Sequence, residues 1–188
     1  MSERAFVVAL LGAESTGKTT LAAEIAAVLD ARGLRVAVVD EALREFCAAR
    51  ARTPRRDEQA AIAALQSERI EAAAASAEIV VADTTALMIA VYSDFVFGDR
   101  SLYASATRAQ RRCDLTLVTA LDLPWRADGL QRDGEHVRAP VDALLRAALA
   151  DASVPFTTVA GSDDRRVEAA VRAIDDALAA RGARADAG

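Results

Sequence analysis

Gly12-Ala13-Glu14-Ser15-Thr16-Gly17-Lys18-Thr19 fits the phosphate-binding pattern G-x-x-x-x-G-K-[ST] at every fixed position. The chemistry such a stretch serves is the cradling of a nucleotide's phosphates. Gly12 and Gly17 free the backbone to curl so that successive N–H groups converge on phosphate oxygens. A helix starting at the end of the loop adds its positive N-terminal pole. Lys18 is expected to reach the β- and γ-phosphates and the Thr19 hydroxyl to ligate Mg²⁺. The expected ATP site is therefore Gly12, Ala13, Glu14, Ser15, Thr16, Gly17, Lys18, Thr19 and Thr20. Lys18 is also the one lysine among 23 basic residues, every other being arginine. A chain so biased against lysine uses it where a compact ammonium on a flexible stem is wanted.

Three groups of residues could act beside that loop. Asp40-Glu41 ends an apolar stretch, where a kinase needs a carboxylate to orient and deprotonate an acceptor hydroxyl. A helix cap is the competing use of either residue. Asp83 follows Val80-Val81-Ala82 in the same way. It is expected to hold Mg²⁺ or substrate hydroxyls, with a cap for a helix starting at Thr84 as its alternative. The polar segment 122–140 carries Arg126, Arg132 and Arg138, any of which could neutralise charge on a transferring phosphoryl group or pair with the loop's own acids. Arg138 is expected to matter least of the three, and His136 to be a plain surface residue. Among the aromatics, Tyr92, Phe95 and Phe97 read as core. Trp125, beside Pro124, is the better candidate for stacking on a flat ring.

The elements that must position these residues alternate in type. Ala5–Leu11, Val36–Val39, Ile79–Ala82, Leu115–Thr119 and Val154–Val159 read as buried strands, with Pro155 marking an edge. Helical spacing (Leu21, Ile25, Val28, Leu29) follows the phosphate loop. Further helices are expected after Glu41 to about Arg52 and over 57–77, with Ile62, Leu65 and Ile70 inward. Others are expected over 84–97, 101–112, 141–150 and 165–181. Alternating strands and helices imply an α/β fold of three layers, a P-loop NTPase with a mostly parallel five-stranded sheet between helices. In such sheets ligands bind at the carboxyl ends of the strands, where the phosphate loop, Asp40-Glu41, Asp83 and the 122–140 segment all fall. That segment, long and rich in Gly, Asp and Arg, reads as a lid. The expectation is one domain over 1–182, with 183–188 a flexible tail.

The totals narrow the partners. A chain of 188 residues with 53 % hydrophobic and 27 % charged content reads as a globular domain. A net charge of −5 argues against nucleic acid as an obligatory partner. Neither a signal peptide nor an apolar run of membrane-spanning length is recognisable, and Cys47 and Cys113 lack metal-type spacing, so a cytoplasmic protein away from membranes is expected.

Together these segments resemble the ribosylnicotinamide kinase domain of the bifunctional and trifunctional NadR-type NAD-biosynthesis regulators. The likeness runs from the first strand to the helix after the lid. Gly12–Thr19, Glu41-Ala42-Leu43-Arg44-Glu45, Asp83-Thr84-Thr85 and Pro124-Trp125-Arg126-Ala127-Asp128-Gly129-Leu130 carry it. It implies transfer of the ATP γ-phosphate to the ribose 5′-hydroxyl of nicotinamide riboside. It places Glu41 and Arg44 near the reacting centre, Asp83 at the substrate and Trp125 in the nucleoside pocket. Tyr92 is added to the expected acceptor site. The chain departs from the family's usual residues at Ala42, Thr85 and Gln131, all on the acceptor side or lid. The adenylyltransferase and DNA-binding modules of some relatives are not expected here.

Other functions are set against this one. A GTPase would call for an Asn-Lys-x-Asp motif, but the chain has no asparagine and its lysine is used in the phosphate loop. An AAA-type motor would normally add a helical lid domain to a larger chain. A P-loop ATPase or nucleotide-sensing module, or a kinase for another nucleoside or vitamin, remains as the alternative.

Overall fold

The computed structural model describes residues 4–126 and 134–185. Five parallel strands, β1 (Phe6–Leu11), β2 (Val36–Val39), β3 (Ile79–Asp83), β4 (Leu115–Thr119) and β5 (Thr157–Val159), lie in the order β2-β3-β1-β4-β5. β1 is central because its six residues are all apolar and can be buried on both faces. Phe6, Val8 and Leu10 face one helical layer, α1 (Lys18–Asp30) and α7 (Asp163–Ala185). Ala9 and Leu11 face the other, built from α2 (Ala42–Arg50), α3 (Gln59–Ala74), α4 (Ala86–Phe97), α5 (Tyr103–Gln110) and α6 (Arg138–Asp151). The result is the expected three-layer α/β/α P-loop fold with its five-stranded parallel sheet.

Two features of this order place the site. The chain leaves β1 toward β2 on one side and β3 toward β4 on the other, so the strand order reverses between β1 and β3. A crevice opens there at the carboxyl ends. Leu10 of β1 is in register with Asp83 of β3, which sets the last residue of β3 beside the start of the phosphate loop. Helix α4 forms the floor of the crevice. Ala86 to Val91 and Ser93 are buried, since α3, α5 and α6 pack around it. It stops at Gly98, whose φ of +64° allows the reversed hydrogen bonds Gly98 N–H to Asp94 C=O and Asp99 N–H to Ser93 C=O.

Several expected boundaries move. A helical turn over Arg56–Glu58 precedes α3. On α3 the inward position is held by Gln66, fully buried, while Leu65 is 41 % exposed, because Gln59, Ile62, Ala63 and Gln66 share one face. β5 is shorter than expected and begins after Pro155, at a sheet edge. The segment read as a loop through Pro140 is helical from Glu135 onward, so Arg138 belongs to α6 rather than to a lid. α7 runs on to Ala185, beyond the expected start of a tail at 183. Arg132 and the Asp128-Gly129-Leu130 stretch lie outside the described residues, as does 186–188.

Candidate active site

The loop from Gly12 to Gly17 joins β1 directly to α1. Gly12 has φ +151°, and a Cβ there would come within 2.0 Å of the Thr119 hydroxyl, so no larger residue fits between β1 and β4. Gly17, φ +73°, turns the chain into α1. Thr119 Oγ1 lies 2.7 Å from Thr16 Oγ1, and Thr16 donates to Ala13 C=O at 2.8 Å, so the loop is braced by hydroxyls from below. Lys18 Nζ donates to Ala13 C=O at 2.8 Å, folding its ammonium across the mouth of the loop where phosphates would take over as acceptors. Ser15, Thr16, Gly17, Lys18, Thr19 and Thr20 line a cavity of about 560 Å³, closed on its far side by Leu123, Pro124 and Arg126.

Asp83 is 1 % exposed. Its Oδ2 accepts from the Thr19 hydroxyl at 2.5 Å, and its Oδ1 has no hydrogen-bond partner among the described residues. Capping α4 is not its task, since Thr85 accepts there from Leu87 N–H. A buried, orphaned carboxylate oxygen beside a hydroxyl suits a small hard cation. Mg²⁺ takes one or two protein oxygens and fills the rest with water and phosphate, so the absence of a three-acid cluster among the described residues does not count against it.

Glu41 and Asp40 separate. Glu41, at the start of α2, lines a second cavity of about 370 Å³ and lies 3.6 Å from the Arg44 guanidinium. Its side chain makes no cap hydrogen bond. Asp40 is exposed and lines neither cavity. Helix α2 is instead anchored by Gln66, whose Oε1 accepts from Ala42 N–H at 2.8 Å and whose Nε2 donates to Thr84 C=O at 3.2 Å. One buried amide thus fixes the residue after Glu41 to the residue after Asp83. Thr84 has φ +75°, an outlier for a β-branched residue. Its backbone is held by Gln66 on one side and by Leu10 C=O, which accepts its N–H at 3.1 Å, on the other. Strain of this kind gathers at functional sites.

The 370 Å³ cavity shares Gly12, Ser15 and Lys18 with the phosphate loop, then runs outward over Met88, Tyr92 and Val96, an i, i+4 stripe on α4. Arg44, Thr84 and Gln59 add polar groups. Tyr92, half-buried, thus lines the second cavity rather than being enclosed in the core. Trp125 is half-buried and lines neither cavity, and its indole N–H is buried without a partner among the described residues.

Two contacts join the loop to distant chain. Ser15 Oγ donates to Arg126 C=O at 3.0 Å and accepts from Arg126 N–H at 2.8 Å. Arg166 of α7, its side chain 5 % exposed, donates to Thr16 C=O at 2.9 Å, to Gly161 C=O at 2.7 Å and to Asp122 at 2.9 Å. Burial pushes the Asp122 carboxyl up, but the Gly161 N–H and the Arg166 guanidinium outweigh it and hold the pKa below its usual value. Arg138, expected to be a peripheral lid residue, is buried, and two of its guanidinium nitrogens lack partners among the described residues. Thr84, Gln66, Gln59 and Arg166 were not singled out from sequence. Only the two glutamines carried a signal, since they share the Ile62–Ala63 face of α3.

This site is that of a nucleotide-binding P-loop domain. A family model described as an AAA domain matches residues 7–166, and the chain belongs to that family. What membership establishes is a nucleotide-binding P-loop domain. No curated protein matches the chain. Among solved structures, a crystal structure of NadR protein in complex with NR superimposes with a TM-score of 0.75 at 23 % identity, covering 92 % of this chain and 50 % of that one. A second, of NadR protein in complex with NAD and AMP-PNP, gives 0.73 at 21 % identity, covering 92 % and 49 %. The chain spans about half the length of these neighbours. No described helix is long and apolar enough to cross a membrane.

Proposed function

We propose that this protein is an ATP-dependent small-molecule kinase that phosphorylates the ribose 5′-hydroxyl of nicotinamide riboside. The observation that carries the reading is the shared wall. One cavity has the phosphate loop at its inner end, with Lys18 and Glu41 in reach, and an apolar lining of Met88, Tyr92 and Val96 further out. A hydrolase needs no such second chamber, whereas a transferase needs room for an acceptor in line with the γ-phosphate. The fold shared with a protein crystallised with NR, and in another structure with AMP-PNP, supports the same choice.

In this mechanism ATP lies in the 560 Å³ cavity, its phosphates held by loop N–H groups and Lys18. Thr19 and Asp83 would hold Mg²⁺, which would supply charge neutralisation to the phosphates. Glu41 takes the proton of the acceptor hydroxyl. That oxygen then bonds to the γ-phosphorus as the bond to the ADP oxygen breaks, leaving a phosphate monoester and ADP. Arg44, paired with Glu41, steadies the carboxylate, and Arg126 or Arg132 neutralises charge on the transferring group. The domain is proposed to act in the cytoplasm on a small nucleoside, with neither nucleic acid nor membrane as partner. The test is ADP release with and without acceptor. Release that requires nicotinamide riboside, and is lost in Lys18→Ala, is expected. Acceptor-independent hydrolysis would favour an ATPase or sensor. Release that requires a different nucleoside or a vitamin would keep the kinase and change its substrate.

A further inference from the structure

The two cavities meet. Ser15, Lys18 and Arg44 line both of them. A γ-phosphate that passes from ATP in one to an acceptor in the other must cross that junction. Ser15 and Lys18 belong to the phosphate loop and the helix that continues it, whereas Arg44 reaches the junction from α2.

Helix stability does not account for an arginine there. Glu41 caps the N-terminus of α2, and Arg44 stands in the first turn. The helix dipole favours acids at that end and opposes cations. Nor is the guanidinium locked to the carboxylate. Its Nε lies 3.6 Å from Glu41 Oε2, against 2.7 Å between Arg69 and Glu45, the next residue along α2. Charge-assisted hydrogen bonds close to about 2.7–2.9 Å, so the Arg44–Glu41 pair is loose. The Arg44 side chain is 45 % exposed and that of Glu41 only 11 %. The backbone beneath them is fixed, since Ala42 and Leu43 are buried and Gln66 accepts from Ala42 N–H. The first turn is thus anchored, and the arginine on its surface has room to turn.

We propose that Arg44 is exchanged between the two groups: ATP draws the guanidinium from Glu41 to the γ-phosphate, and the carboxylate is released to the acceptor hydroxyl only when the phosphoryl donor is in place. A phosphate offers the guanidinium fork more charge and more oxygens than a carboxylate does. A neighbouring guanidinium favours the ionised carboxylate and so weakens it as a proton acceptor. Its departure and the arrival of phosphate charge both act the other way. Glu41 then takes the hydroxyl proton, the oxygen bonds to the γ-phosphorus and the bond to the ADP oxygen breaks, with Arg44 on the equatorial oxygens. This rests on the kinase reading and gives its two substrates an order of action.

The experiment is calorimetric binding of AMP-PNP and of ADP, each with Mg²⁺, to the wild type, Arg44→Met, Glu41→Gln and the double variant. Arg44→Met should weaken AMP-PNP by about tenfold and change ADP by less than about twofold. Glu41→Gln should tighten AMP-PNP by about threefold while Arg44 is present, because the phosphate no longer competes for the guanidinium, and by less in the Arg44→Met background. Plain repulsion between Glu41 and the phosphate predicts equal or greater tightening without Arg44, and that result would overturn the proposal. So would an Arg44→Met protein with native circular dichroism that binds AMP-PNP as the wild type does. With nicotinamide riboside as acceptor, Arg44→Met should lower kcat by about a hundredfold and Arg44→Lys should recover part of the loss. The binding cycle needs no acceptor, so the two readings fail separately. The expected coupling in a protein that phosphorylates no acceptor upholds the contact of Arg44 with the γ-phosphate while the kinase reading falls. Turnover of an acceptor without the coupling keeps the kinase and overturns the exchange.

Discussion

The Ser15 hydroxyl takes both hydrogen bonds of the Arg126 peptide, donating to its carbonyl and accepting from its amide. Ser15 itself has φ +55°, at the crest of the phosphate loop. The crest and the segment after β4 are thereby held as one wall of the ATP cavity. Ser15→Ala removes both bonds, each worth about 1 kcal/mol when well formed and less where water competes. KM for ATP should rise about threefold to tenfold, with a smaller change in kcat. An ATP KM within experimental error of the wild type would show that the contact does not shape the bound state.

Asp83 poses a conflict between stability and function. Without a cation its buried carboxylate carries an unpaired oxygen beside the Thr19 hydroxyl. Asp83→Asn removes the buried charge and should raise the melting temperature of the ligand-free protein by a few degrees. The same change should lower kcat by about a hundredfold or more. It should also abolish the stabilisation that Mg²⁺ with ATP gives the wild type. A variant that melts lower and still responds to Mg²⁺ would place the cation elsewhere.

Gln66 touches no ligand in this account, yet its amide spans the two carboxylate-bearing turns. Gln66→Leu leaves Ala42 N–H and Thr84 C=O unsatisfied. It should cost about 2–4 kcal/mol in chemical denaturation. The surviving folded enzyme should show a lower kcat with ATP KM little changed, because Glu41 and Asp83 lose their mutual register while the phosphate loop does not. Gln66→Glu, which keeps the acceptor and loses the donor, should fall between. Loss of stability with normal kcat would make Gln66 a packing residue only.

The wall around Thr53–Gln59 is clamped by acids. The Arg52 guanidinium and Arg55 N–H hold the Glu58 carboxyl at about 2. The Arg56 guanidinium and the Ser101 N–H do the same for Asp99, also at about 2. Unfolded carboxyls titrate near ~4. A depressed folded value means stabilisation that is complete above about pH 4 and disappears as the pH falls toward 2. The melting temperature should therefore drop across that window, less steeply in Glu58→Gln and in Asp99→Asn. Both carboxylates are partly buried against exposed arginines, so the difference in slope is the quantity to measure, and parallel curves would remove these pairs from the acid response.

Much of this was readable along the chain because local signals agreed. Ala5–Leu11 could only be an interior strand, and Gly12 and Gly17 stand where the backbone needs φ values that other residues resist. The acceptor side was harder. Gln66 and Gln59 look like ordinary helix-surface residues until their phase with Ile62 is counted, and Leu65 one position away took their place as core. Arg166 meets Thr16 across 150 residues, and nothing near either one announces the meeting. Thr84 reads as the start of a helix, whereas tertiary hydrogen bonds hold it in a conformation its own side chain disfavours. Asp40 and Glu41 are adjacent and chemically alike, and only the path of the chain into α2 turns one to the cavity and the other to water.

The bond from Arg166 to the phosphate loop has a bearing on how the domain acquires its site. β1 must be flanked by β3 and β4, and Thr16 C=O must meet an arginine 150 residues further along, before the loop is braced. A fragment that stops short of α7 would keep the strand and the loop without that brace. Nucleotide binding should therefore arise together with the whole domain rather than from any part of it.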